Sequence, residues 1–282
     1  MRMVDTHVHF WDPAALDYFW LTPSEPRALQ RAFLPDELES QRITAGVTHG
    51  VYVQVGHDPR ENDWILEVTR AYPWIRGIVG WLDLRATDLA SQIKRVTRDP
   101  RFKGVRHLMH AIDDPNWLTR KDVQAGLEIV ADHGLSLDLV LRADQLEMVA
   151  DVIAAHLRVS FVLDHLGNPP FHGDLERWRT NIKQLVTLPN LVCKISGLLT
   201  GFNGVPDLAL LRETIQFGFA TFSMNRVMFG GDWPVSTLAA PYQRTLEIMR
   251  EAVGSLAPSD ARAFWSENAA RVYRLDLDTK EA

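Results

Sequence analysis

Along this chain, short runs of Val, Ile, Leu and Phe alternate with longer stretches in which apolar residues recur at helical spacing. The short runs predict strands at 3–10 (MVDTHVHF), 47–55, 75–84 and 102–109. Four more are predicted at 135–141, 159–165, 190–196 and 226–231. Their near-continuous apolar character is that of parallel strands covered by helices. Amphipathic segments at 61–72, 88–99 and 121–134 separate them, the last closed by Gly134 in the position of a helix C-cap. Further helices are predicted around 144–156, 174–187, 207–222, 241–253 and 259–273.

Alternation of this kind argues for a single parallel sheet, α/β in class. His7 to Asp232 spans 225 residues, about 32 for each of seven βα units, against roughly 31 for eight units in a barrel of about 250 residues. A doubly wound sheet is the alternative, but no Gly-rich phosphate fingerprint follows the first strand. The expectation is therefore one (β/α)₈ (TIM) barrel domain over 1–282, with no linker or charge run dividing it. Residues 11–35, carrying WDP, YFWLTP and four prolines, read as a long first βα loop over the active-site end.

Composition narrows the function. The 282 residues are 46% hydrophobic and 23% charged, ordinary for a globular protein. Net charge is −6, and no cluster of Lys or Arg suggests a surface for nucleic acid. No apolar run approaches the roughly 18 residues of a membrane span, and the acid and histidines of MRMVDTHVHFWD do not suit a signal peptide. A cytoplasmic location and a small-molecule substrate are expected, with the possibility of homo-oligomers left open. The lone Cys193, in LVCKIS, rules out an intrachain disulfide and reads as a small buried hydrophobe.

Candidate chemistry gathers at strand ends. In DTHVH, strand alternation puts His7 and His9 on one face with Asp5 below them, and Val4, Thr6, Val8 and Phe10 on the other. Two imidazoles so placed can grip one divalent ion, or can be two polar residues hydrogen-bonded inside the barrel. His165, in LDHLG, ends the sixth strand, and Asp232, in FGGDWP, follows the eighth. A carboxylate there can bind metal or take a proton from water. Three strand ends thus supply His, His, His and Asp, a nitrogen and oxygen set suited to zinc or a similar ion. In GVRHLMH, Arg106 and His110 share a face, with Arg106 placed to clamp a carboxylate or carbonyl, and His107 faces the other way. Lys194 is a charge inside an apolar run, costly to bury unless it pairs or serves the pocket. His133 and His156 fall near helix C-termini and read as structural. His49 falls at a strand start and His172 in a proline-rich loop, and His57 lines the pocket or a surface loop.

With DTHVHFWD, GVRHLMH, LDHLG and GGDWP in this order, the chain resembles the amidohydrolase superfamily. Within it, the chain is most similar to the amidohydrolase-related (amidohydrolase 2) branch that contains L-fuconolactonase-like sugar lactonases and the lactonases of aromatic-ring catabolism. The resemblance covers about residues 3–275. It implies that His7 and His9 are the strand-one metal ligands, that His165 is the later histidine ligand, and that Asp232 is the strand-eight aspartate. The wider superfamily often bridges two metals with a carboxylated lysine after strand four. Lys103 lies at the start of that strand, so the resemblance implies one divalent ion, zinc by preference, and some relatives in this branch act without any.

The reaction implied is hydrolysis of a sugar-acid lactone. His7, His9 and His165 would polarise the carbonyl, and Asp232 would act as general base. Arg106, His110 and Lys194 would orient substrate oxygens, and Trp11, Trp81 and Trp233 would wall the pocket. The nearest competitor is a metal-dependent nonoxidative decarboxylase of carboxylated aromatics, which would release carbon dioxide rather than acid. From a different class, a noncatalytic metal- or sugar-binding barrel would bind a lactone without turnover.

Overall fold

The computed structural model describes residues 2–278. Its sheet has eight strands in sequential order: β1 (Val4–Val8), β2 (His49–Val53), β3 (Ile75–Gly80), β4 (Phe102–Leu108), β5 (Ser136–Val140), β6 (Ser160–Leu163), β7 (Leu191–Ile195) and β8 (Val227–Phe229). All neighbouring pairs are parallel. The ring closes where the Thr6 hydroxyl donates to the Phe229 carbonyl (2.5 Å), the Asp232 amide to that of His7 (2.7 Å) and the His9 amide to that of Trp233 (2.7 Å). The same bonds that close the barrel thus fix Asp232 against the His-x-His strand.

Each predicted strand is present, as are the helices α2 (Arg60–Val68), α3 (Leu89–Val96), α4 (Lys121–Asp132), α5 (Leu146–Ala155), α6 (Leu175–Leu185), α7 (Leu208–Phe222) and α8 (Tyr242–Val253). The predicted segment at 259–273 is helical in three parts, Pro258–Arg262, a π turn at Ala263–Glu267, and Asn268–Val272. Gly134 sits just past α4 with φ +63°, as a C-terminal glycine should. One helix escaped the hydrophobic pattern, α1 (Pro35–Thr44). Its buried side is Pro35, Leu38 and Arg42, and the Arg42 guanidinium lies 4.7 Å over the Trp74 ring. A cation covers apolar surface there, so the periodic signal is missing. No helix among the described residues is long and apolar enough to cross a membrane.

Alternation along the strands sorts the core. Tyr52, Leu137, Leu139, Phe161, Leu163, Cys193, Ile195 and Phe229 pack outward against the helices as part of the main apolar cluster. Each fully buried Leu, Ile or Phe among them contributes about 1.5–3 kcal/mol. Val4, Val51, Val53, Val79, Val162, Val192 and Met228 form a separate cluster inside the barrel with Tyr273 and Leu275, so the chain's last described segment plugs the floor. One layer further along the strands, Arg106, Asp138, Asp164 and Lys194 replace apolar residues.

The expected phase of β1 is corrected by a register shift between Asp5 and Val8. The extra residue turns Val4 into the barrel interior and Asp5 outward. Asp5 does not lie below the histidines. Its carboxylate accepts from the Tyr242 hydroxyl of α8 (2.7 Å) and from the amides of Gly231 (2.7 Å) and His7 (3.0 Å), and burial pushes it up to about 6.

Candidate active site

His7 is the hub. Its ring centroid lies 4.7 Å from that of His9 and 4.6 Å from that of His165. Nε2 of His7 is 3.7 Å from Asp232 Oδ1, and Nε2 of His9 is 3.3 Å from the same oxygen. On the other side, Nδ1 of His7 is 3.4 Å from Asp164 Oδ1. Two buried sets of nitrogen and oxygen donors therefore share His7: His7, His9 and Asp232, and His7, Asp164 and His165, each within 4.8 Å of one another. The four residues singled out from the sequence come together, with Asp164 as an unforeseen fifth.

Local backbone geometry aims these groups. Asp232 (φ +58°) and His165 (φ +55°) both occupy the left-handed region, a conformation that costs non-glycine residues about 1–2 kcal/mol. Asp164 and His165 lie beyond the end of β6 in a tight turn, Asp164–Gly167, so strand alternation does not govern His165. Gly230 permits the close approach of β8 to β1, since a Cβ there would meet the His7 Cβ at 2.7 Å.

Tautomers and charge follow from partners. The Val53 carbonyl can only accept, so His9 Nδ1 (2.7 Å away) carries the proton and Nε2 keeps its lone pair for the site. Nδ1 of His165 bonds the Ser196 hydroxyl (2.9 Å), leaving its Nε2 free. Burial holds His7 well below the usual histidine value despite the Asp164 carboxylate, and lowers His9 as well, so both are neutral at pH 7. Neutral imidazoles beside carboxylates are the donor set that binds a divalent cation, and the residues fit one.

Beneath this layer lies an ion network. Lys194 Nζ is 2.6 Å from Asp138, 3.0 Å from Asp164 and 3.3 Å from His7 Nδ1. The Tyr273 hydroxyl also donates to Asp138 (2.6 Å). Burial raises the Asp138 carboxyl; it opposes ionisation of Asp164 too, but there the Lys194 ammonium and then His7 outweigh it and hold the carboxyl well below the ordinary range. Arg106 donates to the Gln54 carbonyl, and its Nη1 lies 3.3 Å from His7 Nε2.

Above the layer is a pocket of about 550 Å³. His9, Arg106, His110, His165 and Asp232 line it, and the 11–35 segment covers it with Trp11, Phe19, Trp20 and Leu29. That segment is pinned at its neck by paired bonds between Trp11 and Phe33. Three expected pocket residues lie elsewhere. Trp233 is 1% exposed and packs on Phe10 and Phe33 in the core. Trp81 lines a neighbouring cavity. Lys194 is fully buried in the ion network. His133 and His156 do end α4 and α5.

Gly197 was not singled out from the sequence. Its φ is +64°, and a Cβ there would meet His165 Nδ1 at 2.5 Å and Asp232 Oδ2 at 2.9 Å. Gly197→Ala is expected to displace both side chains, lowering kcat/KM about 10²-fold. Backbone strain should cost no more than about 2 kcal/mol. Steady-state kinetics beside a thermal melt checks this; unchanged kcat/KM would show that the two groups need not be so closely held.

Comparison with known proteins identifies the family. A family profile described as "Amidohydrolase" matches residues 4–275. An L-fucono-1,5-lactonase of Burkholderia ambifaria is 30% identical over 97% of this chain and 96% of its own length. A second, of Burkholderia multivorans, is 32% identical over 96% of each. The crystal structure of an amidohydrolase from Burkholderia multivorans with bound zinc superposes with a TM-score of 0.91 at 31% identity, covering 98% of this chain and 100% of that one.

Proposed function

The chain belongs to the amidohydrolase family, and from that premise we propose that it is a lactonase that opens the ring of a sugar-acid lactone, with L-fucono-1,5-lactone the first substrate to test. The observation that carries this reading is convergence: His9, His165, Asp232, Arg106 and His110 meet in one pocket of about 550 Å³, large enough for a sugar lactone. The near full-length similarity to two L-fucono-1,5-lactonases supports the choice of substrate class.

His7, His9 and Asp232, with Asp164 and His165 beside them, would hold one divalent ion, zinc by preference, which supplies Lewis-acid polarisation of an ester carbonyl. The protein's own groups do the rest. Asp232 accepts a proton from water as its oxygen bonds to the lactone carbonyl carbon. When the acyl C–O bond breaks, the same carboxyl returns that proton to the departing ring oxygen, giving the open hydroxy acid. Arg106 and His110 hold substrate oxygens in register, and burial keeps His110 neutral, at about 4. The aromatic cover excludes bulk water and strengthens these contacts.

A pH-indicator screen of aldonolactones tests the proposal. Acid release is expected from L-fucono-1,5-lactone or a stereoisomer, falling by about tenfold or more after chelation and returning with zinc. Absence of acid release from every lactone, together with carbon dioxide release from hydroxybenzoates, would replace lactonase with decarboxylase.

A further inference from the structure

A second cavity, of about 330 Å³, adjoins the pocket just described. The two share Ala111, and Phe19 from the cover of the first stacks on His57 of the second (4.7 Å, 29°). From His57 a continuous file of rings crosses the cavity wall: Trp81 stacked at 5.7 Å, then His107 at 6.0 Å, then Trp117 at 4.7 Å. Three polar atoms of this file, His57 Nε2, Trp81 Nε1 and His107 Nε2, are buried without any hydrogen-bond partner. His107 is only 2% exposed. These atoms lie behind the wall, out of reach of solvent, so a ligand in the cavity would meet the aromatic lining and the charged rim.

Charge narrows the ligand. Asp83 pairs with Arg85 at 2.9 Å, and Arg120 lies between Asp114 (3.8 Å) and Asp122 (2.7 Å), so both lining cations are answered by carboxylates. Burial lowers both lining histidines, His57 to about 4 and His107 to about 3, leaving them neutral. An aromatic lining, neutral histidines and paired charges at the rim suit an uncharged polyhydroxylated ring better than an anion. We propose that this cavity is a second sugar subsite, and that the preferred substrate is a lactone bearing a further glycosyl ring, which lies against Trp117 and the Arg120 pair while the lactone occupies the first pocket. The substrate part of this inference rests on the lactonase reading; the sugar-binding part does not.

Two measurements separate them. In kinetics, kcat/KM for lactobiono-1,5-lactone is expected to exceed that for D-glucono-1,5-lactone by about tenfold. Arg120→Ala and Trp117→Leu should each shrink that ratio towards one while leaving glucono-lactone turnover unchanged. In binding, methyl glycosides of galactose, glucose and fucose, followed by tryptophan fluorescence, should titrate the wild type and not the two variants, whether or not any lactone is hydrolysed. Glycosides that bind while no lactone turns over would keep the subsite and overturn the lactonase reading. A ratio near one, no glycoside titration, or saturation by inorganic phosphate instead would overturn the subsite.

Discussion

Asp232→Asn is expected to lower kcat/KM for lactone hydrolysis by about 10²–10⁴-fold, the usual worth of a positioned general base. The substitution is nearly isosteric, and asparagine tolerates the left-handed backbone at this position (φ +58°) as readily as aspartate. The Asp232 amide still bonds the His7 carbonyl, so barrel closure survives. What disappears is the carboxylate oxygen 3.3 Å from His9 Nε2, and with it the proposed acceptor for the proton of water. Because the same oxygen belongs to a candidate metal triad, the metal content of the variant should be measured alongside its kinetics. Lost turnover with retained metal assigns proton transfer to Asp232; lost turnover with lost metal assigns it a ligand role. Wild-type turnover would remove Asp232 from the mechanism altogether.

The barrel was legible because its strands are nearly unbroken apolar runs, separated by helices whose apolar stripes mostly survive on the surface of the sequence. Helix α1 was not, since Arg42 occupies the buried position where the pattern wants a hydrophobe. His7, His9, His165 and Asp232 could be read from their places at strand ends, but their relation to Asp5 could not. A single extra residue in β1 reverses the phase that alternation assigns, and nothing in DTHVH announces it. Asp164 did leave a signal. Asp138 in β5, Lys194 in β7 and Asp164 just past the end of β6 each interrupt an apolar run. Charges buried singly are prohibitive, so three on neighbouring strands imply one another. Trp233 misled for the opposite reason: its neighbour Asp232 faces the site, while its own ring turns into the core between Phe10 and Phe33.

That ion network is expected to dominate stability as Asp232 is expected to dominate catalysis. Lys194→Met leaves two buried carboxylates, Asp138 and Asp164, without the ammonium that sits 2.6 and 3.0 Å from them. Removing one partner of a buried ion pair costs about 3–5 kcal/mol, a large share of the roughly 5–15 kcal/mol that holds a domain folded. The deficit should depend on pH with a definite sign. In the wild type, Lys194 and then His7 overcome burial to hold Asp164 below its unfolded value, so its ionisation adds stability above about pH 4 and that contribution fades as pH falls through the lower, folded value. In the variant, burial acts unopposed by the ammonium and raises the carboxyl. The folded variant then favours the protonated acid and loses stability as pH rises. Urea denaturation of both proteins should therefore show a gap that is widest near pH 7 and narrows towards pH 4. Asp138→Asn added to Lys194→Met should recover part of the loss at neutral pH, because it removes one of the two stranded charges. A gap that is constant with pH, or a double variant no more stable than the single, would mean that Lys194 acts through the packing of its aliphatic stem and not through its pairing with the two carboxylates.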